Sequence, residues 1–259
     1  MMATTQRPGT ARHPRRRCRV LVTAAILIAL AVGGAFLDWA VRPHAPAVRA
    51  SAAHAQGTSS PAAPTAPIAG AATAPMADLA GLGWTDFYGA ELPVSQSAGP
   101  RHVEGGLAWG FTDTPQGALL AAVNIGVRAN AQWGPGIFGP TIRDQVTGPG
   151  AGTLLAVCLS SYDQASQAEG VPTGRPIGRA YVTEEAFRWV IYTSADATVD
   201  IVSAGSGAGG VTARAVTRIE VAWSGADWQV IAPPGGDWGN SAGPLTSLTG
   251  YTAFPGLPS

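Results

Sequence analysis

The sequence predicts an α+β protein in which an N-terminal single transmembrane helix precedes helices packed on a curved antiparallel sheet. Three observations carry this prediction. An uncharged apolar run follows an arginine cluster near the N-terminus. Apolar residues recur at helical spacing in the middle of the chain, and apolar and polar residues alternate toward its end.

The N-terminal elements come first. Residues 1–19 hold six arginines and no acid, and residues 20–37 (VLVTAAILIALAVGGAFL) hold no charge. Eighteen helical residues span about 27 Å, close to the hydrocarbon thickness of a bilayer. Arg15, Arg16, Arg17 and Arg19 stand directly before the run, and Trp39 follows it where an interfacial aromatic belongs. The expected organisation is a cytoplasmic Arg-rich tail (1–19), a transmembrane helix (20–41), an Ala/Pro-rich disordered linker (42–80), an extracytoplasmic domain (81–233) and a flexible C-terminal tail (234–259). The expected location is the cell membrane, with a single pass and a cytoplasmic N-terminus. A cleaved signal peptide is the competing reading, with Ala53-His54-Ala55 as its cleavage site, although that site lies far beyond the apolar run.

Charge narrows the partners of the domain. From residue 81 onward eight arginines face fourteen acids, a balance of −6, and the chain has no lysine. The folded part therefore offers no basic face for nucleic acid. Cys18 and Cys158 lie on opposite sides of the expected span and cannot pair.

Within the domain, Thr114 is placed to cap a helix that Pro115 opens, and Leu119, Leu120, Val123 and Val127 follow at helical spacing. A second helix is expected over 152–169, with Leu154, Leu155, Cys158 and Tyr162 on one side; residues 135–152 between them read as mostly loop. Strands follow at 186–193, 198–203, 213–223 and 228–231. In the first, Phe187, Trp189 and Ile191 alternate with Arg188, Val190 and Tyr192; in the third, Thr217, Ile219 and Val221 alternate with Arg218 and Glu220. Short turns between them imply an antiparallel meander. Residues 81–110 read as irregular.

Gly110–Arg128 (GFTDTPQGALLAAVNIGVR), with Glu91–Pro100 (ELPVSQSAGP) before it, resembles a family of uncharacterised actinobacterial membrane-anchored proteins associated with integrative and conjugative elements. The hairpin Trp223-Ser224-Gly225-Ala226-Asp227-Trp228 resembles the one that ends the extracytoplasmic domains of conjugation-channel proteins. That resemblance implies a nuclear-transport-factor-2-like fold over about residues 84–233. It also implies a non-enzymatic, membrane-tethered scaffold or assembly component of a conjugative transfer or secretion apparatus, with protein partners and self-association into a homo-oligomer. The glycine-rich loop 205–210 departs from the pattern.

No residue is assigned as catalytic, cofactor-binding or metal-ligating. His102 is the domain's single histidine and reads as an exposed loop residue. No Gly-x-Ser-x-Gly elbow supplies a nucleophile. Glu184-Glu185 reads as a turn or surface pair, and Cys158 as buried and inert. The glycine run 205–210 leads into a strand and reads as a hairpin connection rather than a dinucleotide loop. The alternatives to the scaffold are a general cell-envelope protein and an extracytoplasmic domain that binds a small ligand in the sheet cavity.

Overall fold

A computed structural model describes residue 77, residues 79–207 and residues 210–257. Its chain opens with a hairpin of β1 (Leu82–Phe87) and β2 (Ala90–Ser95), turned by Tyr88 and Gly89, both at positive φ. That is the tight turn whose twist matches its strands, and Gly89 is required there: a Cβ would lie 2.2 Å from the Ala180 carbonyl oxygen. A second hairpin, β3 (His102–Glu104) and β4 (Leu107–Trp109), stands apart from the main sheet. Three helices follow: α1 (Pro115–Arg128), α2 (Pro135–Gln145) and α3 (Ala151–Glu169), with the two-residue β5 (Val146–Thr147) between the last two.

The meander comes next, as β6 (Val182–Tyr192), β7 (Asp196–Ser206), β8 (Thr212–Trp223) and β9 (Trp228–Ile231), and every neighbouring pair is antiparallel. The glycine-rich segment after Ser206 links β7 to β8. The chain ends with β10 (Ala242–Pro244) against β8 and β11 (Thr252–Ala253) against β6.

These strands form one nine-stranded sheet in the order β1-β2-β6-β7-β8-β9-β5, with β10 and β11 attached. The sheet is mixed, because β2 pairs parallel with β6 and β5 parallel with β9. It also curls: α1 packs against β2 near one end of the strand order, β9 near the other, and β7 and β8 between them.

This corrects the expected fold class. The described residues form a curled mixed sheet with three helices, and not a set of helices packed on an antiparallel sheet. The nuclear-transport-factor-2-like fold implied by the resemblance falls with it. The physical reason lies in the parallel pairs β2–β6 and β5–β9, which join distant segments into one mixed sheet. That sheet packs against α1, where every residue after Pro115 is buried. A helix rich in Ala and Gly can be enclosed all round, because small side chains let backbone approach. At Gly117 a Cβ would stand 2.0 Å from the Thr112 carbonyl oxygen, and at Gly126 it would stand 2.9 Å from Ile219 Cδ1.

The ends of α1 are satisfied locally. Thr114 Oγ1 accepts from the Gly117 N–H at 3.1 Å. At the other end, Trp133 Nε1 donates to the Val127 carbonyl at 2.6 Å and Trp238 Nε1 to the Ala129 carbonyl at 3.0 Å. Two indoles thus take the acceptors that a helix terminus leaves open. The two segments that carry the family resemblance also meet. Asp227 accepts from the Gly110 N–H at 2.6 Å and the Phe111 N–H at 3.1 Å, and Trp228 Nε1 donates to the Thr112 carbonyl at 2.9 Å.

Residues after Pro233, expected as a loose tail, add β10, β11 and the buried Trp238 and Phe254 to the domain. The expected transmembrane helix (20–41), the Arg-rich tail and nearly all of the linker lie outside the described residues. Among the described residues no helix is long and apolar enough to cross a membrane. The longest, α3, has nineteen residues and buries only Leu154, Cys158, Tyr162 and Ser166. The expectation of a single-pass membrane location is therefore corrected: no described element carries it.

Candidate functional site

The two faces of β6–β8 differ because side chains alternate along each strand. On β8, Ala215, Thr217, Ile219 and Val221 are buried inward, while Arg214, Val216, Arg218 and Glu220 point the other way. On β7, Asp200 and Val202 share that outer face, and Arg188 brings β6 into it.

The pairing register sets Arg188 opposite Asp200 and Asp200 opposite Arg218, so three charges cross three strands in one row. Arg188 Nη2 donates to Asp200 Oδ2 at 2.7 Å; Arg218 donates from Nε to Oδ1 at 2.8 Å and from Nη2 to Oδ2 at 3.2 Å. The Asp200 side chain is 4% exposed, whereas Arg188 and Arg218 are 45% and 50% exposed. Burial alone would push the Asp200 carboxyl up. Hydrogen bonds and positive charge from Arg218 and Arg188 outweigh it and hold the group below the ordinary aspartate range.

Two further contacts extend the row. Arg214 grips Glu185 with two parallel hydrogen bonds, 2.5 Å from Nε and 2.9 Å from Nη2. The Arg188 guanidinium lies 4.6 Å from the centre of the Tyr251 ring. Three of the domain's eight arginines thus stand on one face of an acidic domain. Their acids fix their positions, and their side chains stay 31–50% exposed.

The inner face holds a different carboxyl. Glu184 is 1% exposed, although the sequence pattern gave Glu184-Glu185 as a surface or turn pair. Ser203 Oγ donates to Glu184 Oε2 at 2.8 Å, and Oε1 has no partner. Burial pushes this carboxyl up to about 8, against which the Ser203 hydrogen bond acts weakly. The group borders a small cavity between α1 and the sheet, lined in part by Gly126, Thr217 and Trp238.

The remaining candidates lie elsewhere. His102 is exposed on β3 and stacks on Trp109 with ring centres 5.1 Å apart. Cys158 is buried; desolvation pushes its thiol up to about 12, and Sγ donates weakly to the Ala129 carbonyl at 3.7 Å. Cys18 lies outside the described residues. Arg128, which the sequence reading passed over, is 1% exposed. Its Nη1 donates to the Asn124 carbonyl and to Asn124 Oδ1, both at 2.9 Å, with the Phe87 ring centre 4.4 Å from the guanidinium. Burial lowers it to about 10, so it stays charged at neutral pH. Among the described residues, no three His, Cys, Asp or Glu side chains gather in a way that could hold a metal.

Comparison with known families gives one match. A family model described as a domain of unknown function, DUF8175, covers residues 41–253, which takes in the whole curled sheet up to β11. The chain belongs to the DUF8175 family. No curated protein and no solved structure matches it. The DUF8175 match carries no link to conjugation or secretion, so those expectations have no finding behind them and are set aside.

Proposed function

We propose that this DUF8175 chain is a non-enzymatic binding domain, an assembly component that engages a protein partner through the outer face of β6–β8. The observation that supports this reading is the row Arg188–Asp200–Arg218. A carboxylate buried between two half-exposed guanidiniums holds them in fixed positions. Arginine side chains fixed in advance lose less freedom when they bind, and their planar donor sets suit carboxylates. Tyr251 adds a flat aromatic surface beside them, of the kind enriched in protein interfaces. The partner surface this face fits is an acidic segment.

The alternative, a small ligand held in the sheet cavity, is less well supported. The space between α1 and the sheet that a water centre can occupy is about 10 Å³. That suffices for about one water molecule.

The test is titration of the full chain with a labelled decaglutamate peptide at low and moderate salt. Binding that weakens with salt is expected. It should fall about tenfold or more in the variant Arg188→Gln/Asp200→Asn/Arg218→Gln, which replaces the row with neutral groups of similar shape. It should persist in Arg101→Gln, which removes an exposed arginine from outside the row. Equal binding by all three proteins, or none at low salt, would overturn the proposal.

A further inference from the structure

A second device lies beneath the same strands and does not depend on the binding proposal. Three polar residues on three strands line one cavity on the inner face: Glu184 on β6, Ser203 on β7 and Thr217 on β8. Ser203 serves Glu184 Oε2, but Glu184 Oε1 and Thr217 Oγ1 have no partner. Two orphaned polar atoms beside one cavity are unusual, because buried polar groups are nearly always paired. The cavity these residues border has room for about one water.

Among the described residues no charge acts on this carboxyl, whose shift comes from burial and the Ser203 hydrogen bond. The cavity-lining residues of α1 are Val123, Gly126 and Val127, and the next residue, Arg128, is engaged with Asn124. Ile201 lines the cavity from β7 and Ile219 from β8, while Asp200 and Arg218 point to the outer face and bind each other. Trp238 closes one side; its neighbour Asp237 accepts from the Gly239 N–H. Glu185 is held outside by Arg214. An ionised Glu184 would therefore be a buried charge with one hydroxyl as its only donor. Such a charge is costly enough that the group stays neutral or the surroundings open to water.

We infer that Glu184 is a proton-operated latch between α1 and the sheet. Protonated, the carboxyl donates from Oε1 to a single trapped water that also meets Thr217 Oγ1, and α1 sits closed on β6–β8. Ionised, it draws further water into the cavity and loosens the contact of Val123, Gly126 and Val127 with Ile201 and Ile219. No atom is transferred except the proton, which passes to bulk solvent.

The sign follows from linkage. A carboxyl whose native value is raised from 4.5 to about 8 contributes stability that is fully present below 4.5 and lost as pH rises toward about 8. The test compares thermal midpoints of the full chain and Glu184→Gln from pH 5 to pH 9, and measures protons taken up on refolding at pH 6.5. The variant's midpoint should gain on the native one steadily as pH rises. The native chain should take up about one more proton than the variant, because its unfolded form is ionised at that pH and its folded form is not. Parallel midpoint curves with equal proton uptake would overturn the latch.

Should Glu184→Gln not fold, infrared spectra of the native chain decide. A protonated-carboxyl band at pH 6.5 that disappears between pH 7 and pH 9 supports the latch. Absence of that band at pH 6.5 contradicts it.

Discussion

Asp200 and Glu184 are both buried carboxyls on the central strands, yet they sit on opposite faces and are pushed in opposite directions from the ordinary carboxyl range. Asp200 is 3% exposed and Glu184 1% exposed, so burial does not separate them. Their neighbours do. Asp200 receives three hydrogen bonds from two arginines, whereas Glu184 receives one from a neutral hydroxyl. Desolvation penalises both ions, and only the outer face supplies positive charge to offset it. The sheet thus fixes charge on the side it presents to solvent and neutralises it on the side it packs against α1.

The comparison can be broken most forcefully from the outer side. Asp200→Ala removes the centre of the row and leaves two guanidiniums facing each other. Because both are half exposed and can turn into water, the loss should be about 2 kcal/mol, below the range for a fully buried pair. A depressed carboxyl contributes stability above its unfolded value and loses it as pH falls through its native one. The cost of Asp200→Ala should therefore be constant from about pH 5 upward and vanish in strong acid, as urea unfolding at several pH values would reveal. Urea unfolding of Arg188→Ala should show less than about 1 kcal/mol lost, since Arg218 remains on the carboxylate.

The inner side gives an effect of comparable size. Ser203→Ala removes the donor that favours ionised Glu184, at a cost of about 1 kcal/mol. It should also move the Glu184 titration further upward, whereas Asp200 should be unaffected. Carboxyl titration in the variant checks both statements.

These faces were only half legible in the sequence. The alternation of Thr217 and Ile219 with Arg218 and Glu220 gives the outward arginine of β8 correctly. The register that sets Arg188, Asp200 and Arg218 in line depends on turns whose geometry the pattern leaves open. Glu184 is missed for a specific reason. The pattern starts the strand at 186 and leaves Glu184-Glu185 to a turn, whereas the strand begins at Val182 and a slip in pairing between Glu184 and Ala186 turns Glu184 inward. The second slip, between Trp189 and Ile191, leaves Ile191 59% exposed although the alternation placed it with Phe187.

Elsewhere, local signals sufficed where one strong rule applied. Thr114 and Pro115 announce α1, and the turn Ser224–Asp227 announces the β8–β9 hairpin. Signals failed where residues contradict their element. Gly136, Gly139 and Pro140 hide α2, and Pro93 hides β2. The parallel pairs β2–β6 and β5–β9 join only two residues each across long stretches of chain, too little for any periodicity to reveal. Without them the sheet reads as a simple meander, which is how the expected fold class went wrong.

The most direct measurement is a residue-resolved carbon-13 titration of the carboxyl groups in the intact chain, with Asp200 and Glu184 assigned by their Asn and Gln variants. Asp200 should titrate below the ordinary aspartate range and Glu184 at about 8. Two ordinary carboxyls that both titrate around pH 4 would contradict this.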